Sequence, residues 1–204
     1  MELTADQMDA LKELINIGVG KAADVLNQMI ECHIQLQVPF IKIVTVASLP
    51  SAREVSGFGE DRLAAVRLGF KGPFRGTAAL VFPTDSASKL IAVLVGDEPD
   101  TSDDLDSVRV GTLTEVGNIV INGVMGSIGN VLNKRIDYAV PNFIEDTIDH
   151  VVSGNSNNSN ASDTVLLAQT RFTVEQLQID GNIMMFFEVG SFDALIGAIE
   201  EMIA

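Results

Sequence analysis

Cysteine, histidine and basic residues are scarce in this sequence, and each scarcity excludes a class of function. Cys32 is the only cysteine, so an intramolecular disulfide is excluded. With only His33 and His150 beside it, the chain has no set of soft ligands for a metal site such as structural zinc. Lysine and arginine total 13 against 28 acidic residues, a formal net charge of −15. Such a surface repels nucleic acid and anionic lipid, so neither is an expected partner.

Long apolar runs are also missing. Charges or glycine interrupt every hydrophobic stretch well before the about 18 residues that a membrane-spanning helix needs. The N-terminal segment MELTADQMDALKE has neither the basic nor the apolar region of a secretory signal, so we expect a cytoplasmic protein. What the chain does contain is 47% hydrophobic residues among 204, enough for one sizeable core.

An internal repeat organises the chain. A shift of 102 residues superimposes seven residues of the first half on identical residues of the second. The matched residues are Leu11, Glu13, Asn16, Ile17, Ile34, Val38 and Pro39, which fall on Leu113, Glu115, Asn118, Ile119, Ile136, Val140 and Pro141. Each half begins with a long helical pattern, over residues 5–30 and about 109–133. Thr4 and Gln7 have the spacing of a capping box that starts the first helix.

Each half continues with a strand-like stretch that meets the proline, and then with two alternating strands. These four strands are predicted over residues 63–70, 74–82, 164–172 and 182–189. Gly72-Pro73 is typical of the turn within the first pair. Asp180-Gly181 is the dipeptide that favours a two-residue hairpin turn before the last strand.

A second helix closes each half. The pattern predicts helices over residues 85–95 and 192–203. Thr84 and Ser191 directly precede them, and their hydroxyl groups suit the capping position of a helix.

Two stretches are predicted to lie outside the packed structure. Residues 96–107 form an acidic connection between the halves, and residues 153–163, with a single alanine as their apolar content, form a mobile loop. We expect one domain over residues 1–204, made of two repeats at about 1–95 and 109–204. Its predicted fold class is α+β, with approximate two-fold internal symmetry and long helices packed on one face of a largely antiparallel β-sheet.

Each long helix carries a narrow polar stripe opposite its apolar side. The stripe contains Asp9, Glu13, Asn16 and Gly20 on the first helix, and Glu115, Asn118 and Asn122 on the second. On one helix alone, a solvated face with glycines for packing would be the better interpretation. The same Glu-x-x-Asn spacing on both helices, each followed by proline at the same interval, favours a functional pair.

These motifs resemble the signature of the CheC/CheX/FliY phosphatases of bacterial and archaeal chemotaxis. The shared pattern is Glu-x-x-Asn, then 22 residues and proline, which occurs at Glu13, Asn16 and Pro39 and again at Glu115, Asn118 and Pro141. In the family an Asp or Ser stands four residues before the glutamate. Asp9 fills that place in the first copy, whereas the second copy departs from the pattern with Gly111. Two copies in about 200 residues is the arrangement of CheC.

The resemblance implies hydrolysis of the aspartyl phosphate on CheY, the diffusible response regulator of the flagellar motor. An acyl phosphate is already reactive, so the catalyst has mainly to place a water in line with phosphorus, and an amide can donate to and accept from that water. Asn16 and Asn118 are the candidates for this role. Glu13 and Glu115 are expected to bind a cationic group on CheY, the lysine beside its phosphorylation site. No cofactor is expected on this chain, and magnesium would belong to CheY.

Further contacts follow from the same resemblance. Asp9, Gly20 and Asn122 share the stripes and are expected to contact the docked regulator. Because Gly111 lacks the carboxylate of Asp9 and loosens its helix by roughly 1 kcal/mol relative to alanine, the second site is expected to be the weaker one.

The segment after the second proline resembles the CheC docking site for CheD, a receptor-modifying deamidase. The implied contacts are Phe143, Ile144, Asp146 and Ile148, although an ordinary amphipathic connection explains this segment equally well. The alternative function is a non-catalytic CheY-binding adaptor or flagellar switch component, since the rotor protein FliM has a related fold without the Glu–Asn motifs. Two intact Glu–Asn pairs argue against that alternative.

Overall fold

The computed structural model describes residues 4–37, 40–45, 61–96, 104–153, 164–188 and 192–203. Five helices and eight strands follow one another in this part of the chain. In order they are α1 (Ala5–Ile30), β1 (Gln35–Leu36), β2 (Phe40–Thr45), β3 (Leu63–Lys71), β4 (Gly76–Pro83), α2 (Thr84–Val95), α3 (Asp104–Val131), β5 (Asp137–Tyr138), β6 (Asn142–Asp146), α4 (Ile148–Ser153), β7 (Thr164–Val174), β8 (Ile179–Glu188) and α5 (Phe192–Ile203).

Both ends of helix α1 are capped by hydrogen bonds from or to residues nearby in the sequence. The Thr4 hydroxyl accepts a hydrogen bond from the Gln7 backbone N–H at 3.2 Å, and the Gln7 side chain accepts from the Thr4 N–H at 2.9 Å. The predicted capping box is therefore confirmed. At the other end Glu31 adopts a left-handed conformation with φ 53°, and its N–H donates to the Asn27 carbonyl at 2.7 Å. Asn133, 102 residues later and two residues after the end of α3, has φ 50°.

All strands belong to one antiparallel sheet with the order β1-β7-β8-β4-β3-β5, in which β2 extends the β1 edge on β7 and β6 extends the β5 edge on β3. The halves exchange their edge strands. β1 and β2 of the first half pair with β7 of the second, and β5 and β6 pair with β3 of the first. Neither half could complete its sheet alone.

The pairing register follows the shift found in the sequence. Phe40 of β2 lies opposite Gln169 of β7. A shift of 102 residues turns Phe40 into Asn142, and the same shift turns Arg67 into Gln169. Asn142 and Arg67 are themselves paired, in β6 and β3. The α+β fold with its pseudo-two-fold symmetry is confirmed, and the division into one domain of two repeats at about 1–95 and 109–204 stays a prediction.

The two faces of the sheet bury different clusters. On β3, alternate residues such as Ala64, Val66 and Leu68 face the helices, while Leu63 and Ala65 face the other way. All helices except α4 contribute to the first cluster, so the long helices lie on one face as predicted. The short helix α4 packs on the opposite face.

The α1–α3 contact lies at the centre of the helix layer. A Cβ atom added to Gly18 would lie 2.9 Å from the Val124 carbonyl oxygen, and one added to Gly123 would lie 3.8 Å from the Ala22 Cα. The contacts therefore run in opposite chain directions, which makes the helices antiparallel. Ala22 and Val124 are related by the 102-residue shift, so the internal two-fold passes close to this point.

The predicted turn at Asp180-Gly181 is wrong. Asp180 and Gly181 lie inside β8, and the β7–β8 turn is the 3₁₀ segment Glu175–Leu177 followed by Gln178 with φ 51°. Gln178 adopts the left-handed conformation, so no glycine is needed to reverse the chain there. The prediction also omitted β2 and β6, the strands that follow each proline.

Helix termini differ from the prediction as well. Pro83 is the N-cap of α2 without a side-chain hydrogen bond, and the Thr84 hydroxyl instead donates to the Arg62 carbonyl at 2.8 Å. α3 begins at Asp104, inside the predicted acidic connection. Residues 97–103 of that connection, Ser191, Pro39 and the predicted loop after Ser153 lie outside the described residues.

Candidate functional site

Both polar stripes lie on the outer surface of the helix layer. Leu14 and Ile15 of α1 are 1% and 0% exposed and face the core, so helical periodicity directs Glu13 and Asn16 outward. Glu13, Asn16 and Glu115 are exposed and Asn118 is partly buried. All four side chains are therefore accessible to solvent, Asn118 the least of them.

The two Glu–Asn pairs form separate sites. Asn16 precedes Ala22 by six residues and Asn118 precedes Val124 by six, and these two residues mark the crossing of antiparallel helices. At 1.5 Å per residue each asparagine lies ~9 Å along its helix from the crossing, on opposite sides of it. The sites are therefore about 18 Å apart along the layer, and each can contact its own partner surface.

The first site presents unconstrained polar groups. Among the described residues, neither Glu13 nor Asn16 has a hydrogen-bond or ion-pair partner. Asp9 does have one, because its carboxylate lies 3.6 Å from the Lys12 ammonium group on the exposed face. Gly20, one turn beyond Asn16, is open: a Cβ atom added there would have nothing within 4 Å.

The second site is held by an additional contact. The Asn122 amide Nδ2 donates to Asn118 Oδ1 at 2.9 Å, between residues four apart on α3. Asn122 Oδ1 is buried and has no hydrogen-bond partner. Thr114 stands where the first site has Lys12, and its hydroxyl donates to the Val110 carbonyl at 2.6 Å. The asparagine of this site therefore has a fixed neighbour that Asn16 lacks.

The Asn118–Asn122 bond was missed by sequence reasoning, although its signal was present. Amides four residues apart on a helix are neighbours, and such pairs form hydrogen bonds. Tyr138 was missed too. A Cβ atom at Gly126, further along the second stripe, would lie 4.0 Å from the Tyr138 hydroxyl. Partial burial raises the pKa of Tyr138, so this phenol stays protonated at neutral pH.

The chemistry available to these sites is that of amides and single carboxylates. In the described part of the chain no group of three or more His, Cys, Asp or Glu side chains could hold a metal ion. Cys32 is partly buried and packs against the core. An exposed carboxylate can bind a cation, and an amide can donate to and accept from a water molecule.

The predicted CheD-docking segment forms β6 and the start of α4. Phe143 and Ile144 are partly buried, against opposite faces of the sheet. Ile148 is 0% exposed, so in this fold it is a core residue and is not available to a partner. Asp146 accepts from the Thr147 N–H at 2.7 Å and from His150 Nδ1 at 2.9 Å, and these two hydrogen bonds hold its pKa below the usual value.

The described helices include none that is long and apolar enough to cross a membrane. Residues 7–43 match the model of the CheC-like family. The chain is 25% identical to the CheY-P phosphatase CheC of Bacillus subtilis strain 168, over 95% of this chain and 94% of that protein. The resemblance to the CheC/CheX/FliY family is thereby confirmed.

Solved structures agree on the fold. FliY of Thermotoga maritima matches with a TM-score of 0.76 at 16% identity, covering 99% of this chain and all of that one. A chain of the CheX–CheY–BeF3–Mg²⁺ complex of Borrelia burgdorferi matches with a TM-score of 0.54 at 21% identity, covering 86% of this chain and 98% of that one. These two likenesses establish the shared architecture alone.

Proposed function

We propose that this protein is a phosphatase that hydrolyses the aspartyl phosphate of the chemotaxis response regulator CheY. The observation that carries the proposal is the exposed Glu-x-x-Asn pair that recurs on two symmetry-related helices. The likeness to a CheY-P phosphatase over 95% of the chain supports it. Its substrate is a diffusible regulator, so the proposal places the protein in the cytoplasm.

Asn16 and Asn118 position the attacking water in this proposal. An aspartyl phosphate has a reactive acyl–oxygen–phosphorus linkage, so the barrier falls mainly through placement of water in line with the leaving carboxylate. One amide can orient a water through both its carbonyl oxygen and its amino group. No covalent intermediate on this chain is required.

Glu13 and Glu115 bind the regulator. A glutamate one turn from the asparagine repels the phosphoryl group but attracts a cation beside it, which we assign to the lysine of the CheY active site. Asp9 and Gly20 extend the surface of the first site, and Asn122 lies beside Asn118 at the second. Magnesium belongs to CheY in this scheme, and the related complex of CheX with CheY contains that ion.

The second candidate is a non-catalytic CheY-binding adaptor or flagellar switch component. The fold shared with FliY supports it as well as it supports a phosphatase. The two candidates predict different outcomes once CheY is bound, because an adaptor binds the regulator without accelerating loss of phosphate.

The test uses CheY from the same organism, phosphorylated with a small-molecule phosphodonor that is then removed. A substoichiometric amount of this protein should release phosphate faster than CheY does alone, through many turnovers. Binding is measured separately with BeF3-activated CheY. Binding without faster release would favour the adaptor, and neither binding nor release would contradict both candidates.

CheD is the second partner we propose, through the partly buried residues Phe143, Ile144 and Asp146 of β6. Phe143→Ala should weaken binding of purified CheD about tenfold, as loss of an aromatic anchor does. Leu36→Ala is the matched control, since it removes an exposed apolar side chain from β1, at the opposite edge of the sheet. Absence of CheD binding at micromolar concentration would remove this partner.

A further inference from the structure

The hydrogen bond between Asn122 and Asn118 gives the second site a feature that the first lacks. The donor is Asn122 Nδ2, the acceptor is Asn118 Oδ1, and the bond is partly shielded from water. The equivalent of Asn122 on α1 is Gly20, which has no side chain. Among the described residues Asn16 has no hydrogen-bond partner that would fix the orientation of its amide, and Lys12, four residues before it, lies 3.6 Å from Asp9.

The orientation of the Asn122 amide follows from its surroundings. Its Oδ1 atom is buried without a partner. Reversing the amide would bury an amino group with two N–H donors in the same place, and buried donors without acceptors are rarer and more costly than under-satisfied carbonyl oxygens. The amino group of Asn122 is thus held toward Asn118, which must present its oxygen to it.

We propose that Asn122 is a positioning residue for Asn118 in the phosphatase reaction, an inference that rests on the proposed function. Asn122 occupies one lone pair of Asn118 Oδ1 and fixes the side chain. Both N–H groups of Asn118 and its second lone pair remain for the phosphoryl oxygens and the attacking water. The second site therefore holds its amide before the regulator docks, whereas Asn16 is ordered only on docking.

The burial of Asn122 Oδ1 separates this role from a structural one. A leucine of similar size removes an unpartnered buried oxygen and also removes the donor to Asn118 Oδ1, which belongs to a partly exposed residue and can bind water instead. The two effects on stability have opposite signs. Asn122→Leu should consequently leave the thermal midpoint close to that of the wild type. A lower catalytic rate in a variant of undiminished stability is the signature of positioning.

The kinetic test isolates the second site by starting from Asn16→Ala. Adding Asn122→Leu should lower kcat for phosphate release from CheY-P about threefold to tenfold, the range expected for loss of one ordinary hydrogen bond, with KM unchanged. In the Asn118→Ala background, Asn122→Leu should change nothing further. Asn130→Ala, an exposed asparagine near the end of α3, is the matched control.

Gly20→Asn gives the converse test. It introduces the missing amide at the first site, and in the Asn118→Ala background it should raise kcat by a similar factor. An unchanged kcat in Asn16→Ala/Asn122→Leu would overturn the positioning role, and so would a rise in KM alone, which would assign Asn122 to docking.

A readout without CheY distinguishes failure of this inference from failure of the proposed function. Three-bond couplings to the Asn118 side-chain carbonyl measure its χ1 population by NMR. One rotamer should dominate in the wild type and several should be populated in Asn122→Leu. Equal averaging in both proteins overturns the inference even if CheY-P is hydrolysed. One fixed rotamer in an inactive wild type would contradict the phosphatase and keep the Asn122–Asn118 coupling.

Discussion

The two Glu–Asn pairs occupy equivalent places in the fold and nevertheless differ in what surrounds them. Asn16 is exposed and faces open space at Gly20, whereas Asn118 is partly buried and bonded to Asn122. The two helices share the spacing of the motif but not the residues around it. Identical motifs therefore do not imply equal sites.

The charge around the glutamates differs in the opposite sense. The first site has Asp9 and Lys12 beside Glu13. The Asp9 carboxylate and the Lys12 ammonium group are 3.6 Å apart. The second site has Gly111 and Thr114 at these positions, so Glu115 is its one charge on that turn. Exposed ion pairs of this kind contribute about 0–1 kcal/mol, and Lys12 competes for Asp9 with any cation on a partner. The advantage assigned to Asp9 from sequence is accordingly reduced.

The largest expected effect comes from reversing both docking charges. Glu13→Lys with Glu115→Lys should raise KM for CheY-P at least about tenfold, because like charges placed opposite each other cost several kcal/mol. The KM is measured from the rate of phosphate release at varied concentrations of CheY-P. The double variant Asp61→Lys/Glu175→Lys changes net charge equally at exposed positions outside the helix layer, just before β3 and in the β7–β8 turn, and an equal rise in KM there would assign the effect to long-range charge.

Separate asparagine substitutions rank the two sites. From sequence alone, Gly111 makes the second site the weaker one. With Asn122 holding Asn118, we now propose the reverse: Asn118→Ala should reduce the rate more than Asn16→Ala, by about threefold to tenfold. Rates of both variants at saturating CheY-P decide the order. A larger loss from Asn16→Ala would restore the ranking based on Asp9.

Two glycines of α1 provide a test on stability. Gly18→Ala should destabilise the fold by about 1–3 kcal/mol, because the added methyl meets the Val124 carbonyl. Gly20→Ala should stabilise it by up to about 1 kcal/mol, since space is free and alanine favours helix. Urea unfolding measures both. The same sign of change in the two variants would contradict the described α1–α3 contact.

Much of the fold could be predicted because its helices have long, uninterrupted periodicity. The predicted bounds of α1 and α5, residues 5–30 and 192–203, are those observed. β2 and β6 could not be predicted in the same way. Each is short and completes an edge by pairing with a strand of the other half, so its stability comes from a distant partner. The β7–β8 turn was misplaced because Gln178 adopts a conformation usually assigned to glycine.

The candidate sites, like the fold, could be predicted only in part from the sequence. Spacing on a helix predicts that Glu13 and Asn16 share an exposed face, since the rotation of 100° per residue determines in which direction each side chain leaves the helix. It does not determine the rotamer of Asn118 or the burial of Asn122 Oδ1, which depend on packing around α3. Ile148 shows the same limit, because its acidic neighbours suggested a surface segment and it is buried beneath the sheet.

The smallest expected effect concerns stability at acid pH and depends on a carboxylate that is present in the second repeat and not in the first. Asp146 has Val44 at the equivalent position of the first repeat, so its hydrogen bonds from Thr147 and His150 occur in the second repeat alone. Those bonds lower the pKa of Asp146 in the folded state. A depressed carboxyl pKa stabilises the fold above the unfolded-state value of about 3.9, and this contribution is lost as pH falls through the folded-state pKa.

Asp146→Asn keeps an acceptor for the Thr147 N–H and removes the charge. The variant should unfold at lower urea concentration than the wild type at pH 7, and the difference should shrink as the pH approaches 3. A difference that is constant between these pH values would contradict the assignment to the Asp146 carboxylate.

The central claim is that the paired asparagines turn over CheY-P. Its most direct test is the rate of phosphate loss from CheY-P with the wild type and with Asn16→Ala/Asn118→Ala at equal concentration. Both chains should show the same circular dichroism, because exposed or partly buried amides contribute little to stability. The account predicts a marked acceleration by the wild type and, with the double variant, the rate of CheY alone. Wild-type acceleration retained in the double variant would contradict it.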